Sequence, residues 1–192
     1  MPPIRIDKPV IATATREFAH VGFHGTTGEL IAKKAKVTEG SVFRVFGSKE
    51  NIFARVVEHA AEVLTKSLST IVNEIAISKN GDLGFVRNVA AILMTNFTPD
   101  AARIIAYTAL EQPKLAGKFD KVTQAYERTI AKAIEDRIRK DASAKFAASQ
   151  LIAYVLQVQT FGPTATRKSR EVRARRALVE NFVEIWIKGV ER

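Results

Sequence analysis

The sequence predicts an all-α protein: three short helices followed by about six longer ones. Two observations carry this. Apolar residues recur at helical spacing almost throughout, and convincing alternating runs are absent. Residues that start and stop helices punctuate the pattern at regular places. With 192 residues, 46% hydrophobic and 26% charged, the chain can bury a sizeable core, and disorder is not expected as its general state.

The elements follow in order. Ile11, Ala14, Phe18 and Val21 form one stripe after Asp7 and Pro9, which suit a helix start; Gly22 suits its stop. Thr26-Thr27-Gly28-Glu29 offers a capping box for a second helix through Leu30, Ile31 and Ala35. A third runs from Thr38 to about Phe46. Ser48 can cap a fourth, longer helix carrying Ile52, Phe53, Val56, Ala60, Val63 and Leu64. After SKNGDLG comes a helix with Leu83, Val86, Ala90, Leu93 and Phe97. Thr98-Pro99-Asp100 starts another, ending near Gln112-Pro113. A long segment spans 114–140. Two strongly apolar helices, 144–161 and 171–189, close the chain, separated by Gly162-Pro163 and a basic run.

The stretch VTEGSVFRVFGSKENIF holds the most informative helix. It is poor material in isolation: Gly40 costs ~1 kcal/mol against alanine, and its valines lose rotamer freedom. With Thr38 as N-cap, Val37 and Val42 take the two places of a hydrophobic staple. Val42, Val45 and Phe46 are expected on the buried face, leaving Glu39, Gly40, Phe43 and Arg44 outside. An exposed ring beside an arginine and a glycine suits a surface meant to be covered. A glycine admits a close backbone, a ring presses on a thymine methyl or sugar, and an arginine reads guanine or phosphate. The preceding helix, a brief AKV connection and this helix form a helix-turn-helix, whose second member enters the major groove. Thr26 or Thr27 and Lys49 sit at helix N-termini on either side, where phosphate can be gripped.

Composition narrows the alternatives. There is no cysteine, so disulfides and thiolate metal sites are excluded and a cytoplasmic setting is expected. No apolar run reaches the ~18 residues needed to cross a membrane, and the start has no long apolar signal region. The net charge of +10 suits a polyanionic partner. Residues 1–50 carry eight basic and five acidic side chains, 51–129 nine and eight, and 130–192 thirteen and seven. Much of the last excess lies in the basic run 167–176, read as a solvated loop and helix start with Glu135, Asp136 and Asp141 placed to neutralise it. An enzyme is disfavoured. His20 and His24 have metal-pair spacing, but Gly22 lies between them. Gly22, Gly25 and Gly28 form GxxGxxG, not the dinucleotide fingerprint. No nucleophile–base set is apparent, and no cofactor or metal is expected. A helical scaffold or small-molecule-binding protein without operator function is the alternative; it explains a bundle but not the pattern in 26–53.

The first ~57 residues resemble the TetR/AcrR family of transcriptional regulators. The resemblance rests on Ala14 and Phe18, GF at 22–23, TT at 26–27, IA at 31–32, AKVTEGSVFRVF at 35–46 and SKENIF at 48–53. It implies a helix-turn-helix DNA-binding domain at 1–50 joined to a helical ligand-binding and dimerisation domain at 51–192. It implies a homodimer that binds a near-palindromic double-stranded DNA operator, acts as a repressor, and is released by a small-molecule effector. The DNA-binding residues are then Thr26, Thr27, Lys36, Thr38, Glu39, Gly40, Ser41, Phe43, Arg44 and Lys49. Three positions depart from the family pattern. Lys36 stands where glycine is frequent, Phe43 where tyrosine is usual, and Val45 where histidine is common. Phe43 and Val45 cannot donate to phosphate, and Lys36 is a partial replacement.

The same resemblance places the effector pocket around Phe97, Arg103, Tyr107, Gln112, Tyr126, Tyr154 and Gln157. It places a four-helix dimer interface on the last two helices, at Leu151, Val155, Val158, Phe161, Leu178, Phe182, Ile185 and Trp186. A symmetric dimer is also what a palindromic site requires.

Overall fold

The computed structural model describes residues 7–77, 85–162 and 168–190, with the backbone alone for Lys168 and Ser169. The expected loop 78–84 with Leu83, and Pro163 and Arg167 of the later connection, lie outside the described residues. Among those described, nine helices follow one another. They are α1 (Asp7–Gly25), α2 (Gly28–Ala35), α3 (Glu39–Phe46), α4 (Lys49–Ile77), α5 (Phe85–Asn96), α6 (Pro99–Glu111), α7 (Pro113–Ile134), α8 (Ala144–Phe161) and α9 (Lys168–Val190).

Local side chains set the helix starts. Thr38 caps α3, its oxygen accepting from the Ser41 N–H at 3.2 Å. Ser48 does the same for Asn51 at 3.2 Å, Thr98 for Ala101 at 3.2 Å and Ser143 for Phe146 at 3.3 Å. Each satisfies one of the donors that a helix start leaves open. The cap of α2 differs from expectation. Thr27, not Thr26, accepts from Leu30, so the box with Glu29 does not form. The long segment after Pro113 is helical only to Ile134. There the Arg137 and Ile138 N–H groups both turn back onto the Ile134 carbonyl, and Arg139 donates to Val190 O at 2.8 Å.

The chain divides into two compact units. One holds the described residues to Glu62 together with Arg103–Phe119; the other holds Val63–Ala102 and the described residues from Asp120 onward. The core of the first is an aromatic cluster. Phe18 meets Phe53 edge-on at 4.9 Å, and Phe23 meets Phe53 at 5.3 Å. Ala14, Ile31, Val42 and Phe46 are buried with them. Burial of each large side chain stabilises by roughly 1.5–3 kcal/mol, which lets tertiary packing hold a helix as weak as α3. Val21 and Val63, expected on buried stripes, are exposed.

In the second unit α5, α8 and α9 pack on one another. Phe85, Val86, Leu93, Leu151, Val155 and Val183 are buried there. Trp186 is buried too, and its indole N–H donates to the Ala147 carbonyl at 3.0 Å. Arg87 of α5 pairs with Glu184 of α9, holding that carboxyl below its usual range.

Candidate DNA interface

The site is built by α2, its C-terminal turn and α3. After Ala35 the chain reverses at Lys36, which takes the left-handed conformation (φ 59°, ψ 40°). Its N–H bonds the Lys33 carbonyl, and the Val37 N–H bonds the Ala32 carbonyl at 3.0 Å. This pair of reversed bonds is a Schellman termination, where glycine is the usual occupant. Lysine there leaves its ammonium on an exposed turn directly before α3.

On α3 itself Thr38, Glu39, Gly40 and Arg44 are exposed, and Ser41 is half-buried with its hydroxyl 2.8 Å from that of Thr38. A Cβ added at Gly40 would meet nothing within 4 Å. Among the described residues nothing therefore requires that glycine. Val42 and Phe46 are buried as expected, but the two flanking residues exchange roles. Val45 is 48% exposed and Phe43 is half-buried. The Phe43 ring lies against the start of α2, where a Cβ on Gly28 would come within 2.5 Å of its Cζ. The absence of a side chain at Gly28 is what makes room for the ring.

Two expected phosphate contacts are engaged elsewhere. Thr26 is fully buried, and its hydroxyl donates to the Gly22 carbonyl at 2.8 Å. The Lys49 ammonium donates to the carbonyls of Phe23 and Thr26, both at 3.1 Å, and lies 4.3 Å from the Phe23 ring centre. It braces the turn between α1 and α2 and spends two of its three protons there. Thr27 remains exposed at the α2 N-terminus. Lys34 of α2 is paired with Glu17 of α1 at 2.8 Å.

A support that the sequence did not reveal lies beneath this site. At Gly22 (φ 77°, ψ 179°) α1 is broken. The break frees the N–H groups of Phe23 and His24, and one carboxylate oxygen of Glu111 accepts both, at 2.7 and 3.1 Å. Gly22 is a stop as expected, yet its partner is 89 residues away in sequence, with no local signal.

Residues 10–56 match the family model described as bacterial regulatory proteins, tetR family. Over that stretch the chain is similar to TetR-family regulators. It is 25% identical, over 154 residues, to the uncharacterized HTH-type transcriptional regulator YhgD of Bacillus subtilis (strain 168), covering 78% of this chain and 77% of that protein. The fold of this chain is shared with AibR, solved in complex with isovaleryl coenzyme A and operator DNA. The TM-score is 0.74 at 12% identity, over 95% of this chain and 98% of the other. It is shared also with the fatty acid degradation regulator FadR from Bacillus halodurans, with TM-score 0.67 and 16% identity over 97% of each chain.

The residues expected to line an effector pocket fall in both units. Arg103, Tyr107 and Gln112 belong to the first unit, where a Cβ at Gly22 would lie 3.2 Å from the Tyr107 ring. In the second unit Phe97 and Tyr126 are fully buried and meet edge to face at 5.3 Å. The Tyr126 hydroxyl donates to Leu64 O at 2.7 Å, and burial pushes its pKa up to about 12. Tyr154 stacks on Phe182 at 4.0 Å, and Gln157 is exposed. Phe97 and Tyr126 thus lie in the core of this unit, and Gln157 on its surface.

Of the residues expected at a dimer interface, Leu151, Val155, Val158 and Trp186 are buried within the chain and belong to its own core. Phe161, Leu178 and Ile185 are exposed and Phe182 is half-buried. Phe146, at the start of α8, is a further exposed ring. The basic run is not wholly solvated: Arg175 is 2% exposed. Its acidic partner is Glu171 and that of Arg176 is Glu180, while Asp141 pairs with Arg139.

Proposed function

We propose that the chain binds a near-palindromic operator as a homodimer, represses transcription, and leaves the DNA when a small molecule binds residues 51–192. The observation that carries the DNA part is the exposed run Lys36, Thr38, Glu39, Gly40 and Arg44 on a capped helix held by its neighbours. In this reading Arg44 reaches base edges, and Lys36, Thr27 and the start of α3, with Ser41 and Phe43, position the backbone. Thr26 and Lys49 act one step back, by fixing the turn that presents them. The homodimer is supported by the exposed Phe146, Phe161, Leu178 and Ile185 on the adjacent helices α8 and α9. The effector is supported by AibR, which binds both isovaleryl coenzyme A and operator DNA. Such a regulator acts in the cytoplasm.

An electrophoretic shift with the DNA upstream of the chain's own gene tests the reading. A saturable shift, lost in Arg44→Ala, is expected. Binding that ignores sequence and survives Arg44→Ala would favour a scaffold with adventitious basic charge.

A further inference from the structure

A cavity of about 410 Å³ opens in the second unit between the end of α5, the start of α6 and the first turns of α9. That volume lies within the range of small-molecule sites. Ala91, Met94, Pro99 and Val172 give it an apolar wall. Its charged lining is Arg175, Arg176 and Glu171, two positive groups against one negative.

Arg175 is the unusual member. A guanidinium stays charged at any ordinary pH, so its burial demands partners. One terminal nitrogen, Nη1, is tied to the carbonyls of Val158 and Gln159 near the end of α8. This anchors the group in one orientation. The opposite edge, Nε and Nη2, is the pair of parallel donors that takes a carboxylate side-on. That edge is half used. Nη2 meets Glu171 at 3.0 Å and the Gly162 carbonyl at 3.4 Å, while the buried Nε–H has no acceptor among the described residues. Glu171, one turn earlier on the same helix, reaches Nη2 alone. Arg176 pairs with Glu180 across a well-exposed contact, where water screens the pair.

We propose that this cavity binds a small amphipathic monoanion, a carboxylate on an apolar body. The ligand carboxylate displaces Glu171 and bridges Nε and Nη2 of Arg175. Its apolar part lies along Ala91, Met94 and Val172. That this ligand is the effector rests on the regulator reading above; the site itself does not.

Decanoate, with decan-1-ol as its uncharged counterpart, tests this by calorimetric titration of the full chain. Arg175 also secures the end of α8, so its replacement is not the deciding variant. Glu171→Gln removes the competing carboxylate, and Ala91→Phe fills the cavity while leaving the Arg175 contacts intact. Decanoate is expected to bind saturably, one per chain, about tenfold or more tighter than decan-1-ol. Glu171→Gln should tighten decanoate alone by about threefold or more. Ala91→Phe should abolish binding with an unchanged melting curve. Equal binding of acid and alcohol, weaker binding in Glu171→Gln, indifference to Ala91→Phe, or no saturable binding would each overturn the site. Operator titrations with and without decanoate separate the two readings. Unchanged operator affinity at saturation overturns the effector role. A chain that binds no operator even without ligand sinks the regulator reading and leaves the calorimetric result standing.

Discussion

In the proposed DNA complex, Lys36 serves binding at the expense of folding. A side chain in the left-handed region costs about 1–2 kcal/mol, and glycine would remove much of that strain while adding freedom to the unfolded chain. Lys36→Gly is therefore expected to raise stability by up to about 1 kcal/mol in a denaturant titration. It should also weaken DNA binding and lower the salt slope by about one unit if the ammonium meets phosphate. A variant that gains stability and keeps its salt slope would place the ammonium away from DNA. Tyr126 offers a residue-scale test in the second unit. Its folded pKa, about 12, lies above the ordinary tyrosine value of 10.0 because burial disfavours the phenolate. The neutral form is the one the fold prefers. Its contribution is thus complete below pH 10 and is lost as the pH rises toward 12. Alkaline unfolding followed by circular dichroism should show a component in that window, absent from Tyr126→Phe.

At the scale of elements, the broken α1 depends on a distant helix. Glu111→Ala would leave the Phe23 and His24 N–H groups without their acceptor. Amides stripped of a charged acceptor cost roughly 1–3 kcal/mol, less for His24, which reaches water. Melting should fall accordingly, and hydrogen exchange should accelerate at Phe23. Unchanged exchange there would show that water serves the break as well as the carboxylate does. Helix starts were legible in the sequence because they are local: Thr38, Ser48 and Thr98 accept from N–H groups three residues on. The face of a short helix was less so. Whether Phe43 or Val45 turns inward depends on Gly28, in a different helix. Long-range polar contacts were not legible at all. Lys49 read as a free cation until two carbonyls and a ring surrounded it, and Arg175 read as one more charge in a solvated run.

At the scale of the whole molecule, the question is what covers α8 and α9. Single exposed apolar residues are ordinary, since most protein surfaces carry them. Phe161 at 81% and Ile185 at 72% exposure stand out, together with Phe146 and Leu178 on the same two helices. In the proposed homodimer a second copy covers this surface, as a near-palindromic operator with two half-sites requires. Phe161→Glu with Ile185→Glu is the informative double variant, because both side chains lie outside the chain's own core. A carboxylate at each place opposes its symmetry mate or an apolar neighbour, so light scattering should report a monomer. Operator affinity should then fall by about 100-fold or more, since each half-site must bind without the effective concentration of its partner. Leu151→Glu is the contrasting control: that residue is fully buried, and its charge should unfold the bundle rather than split a folded dimer. A double variant that stays dimeric with unchanged operator affinity would move the interface off these helices.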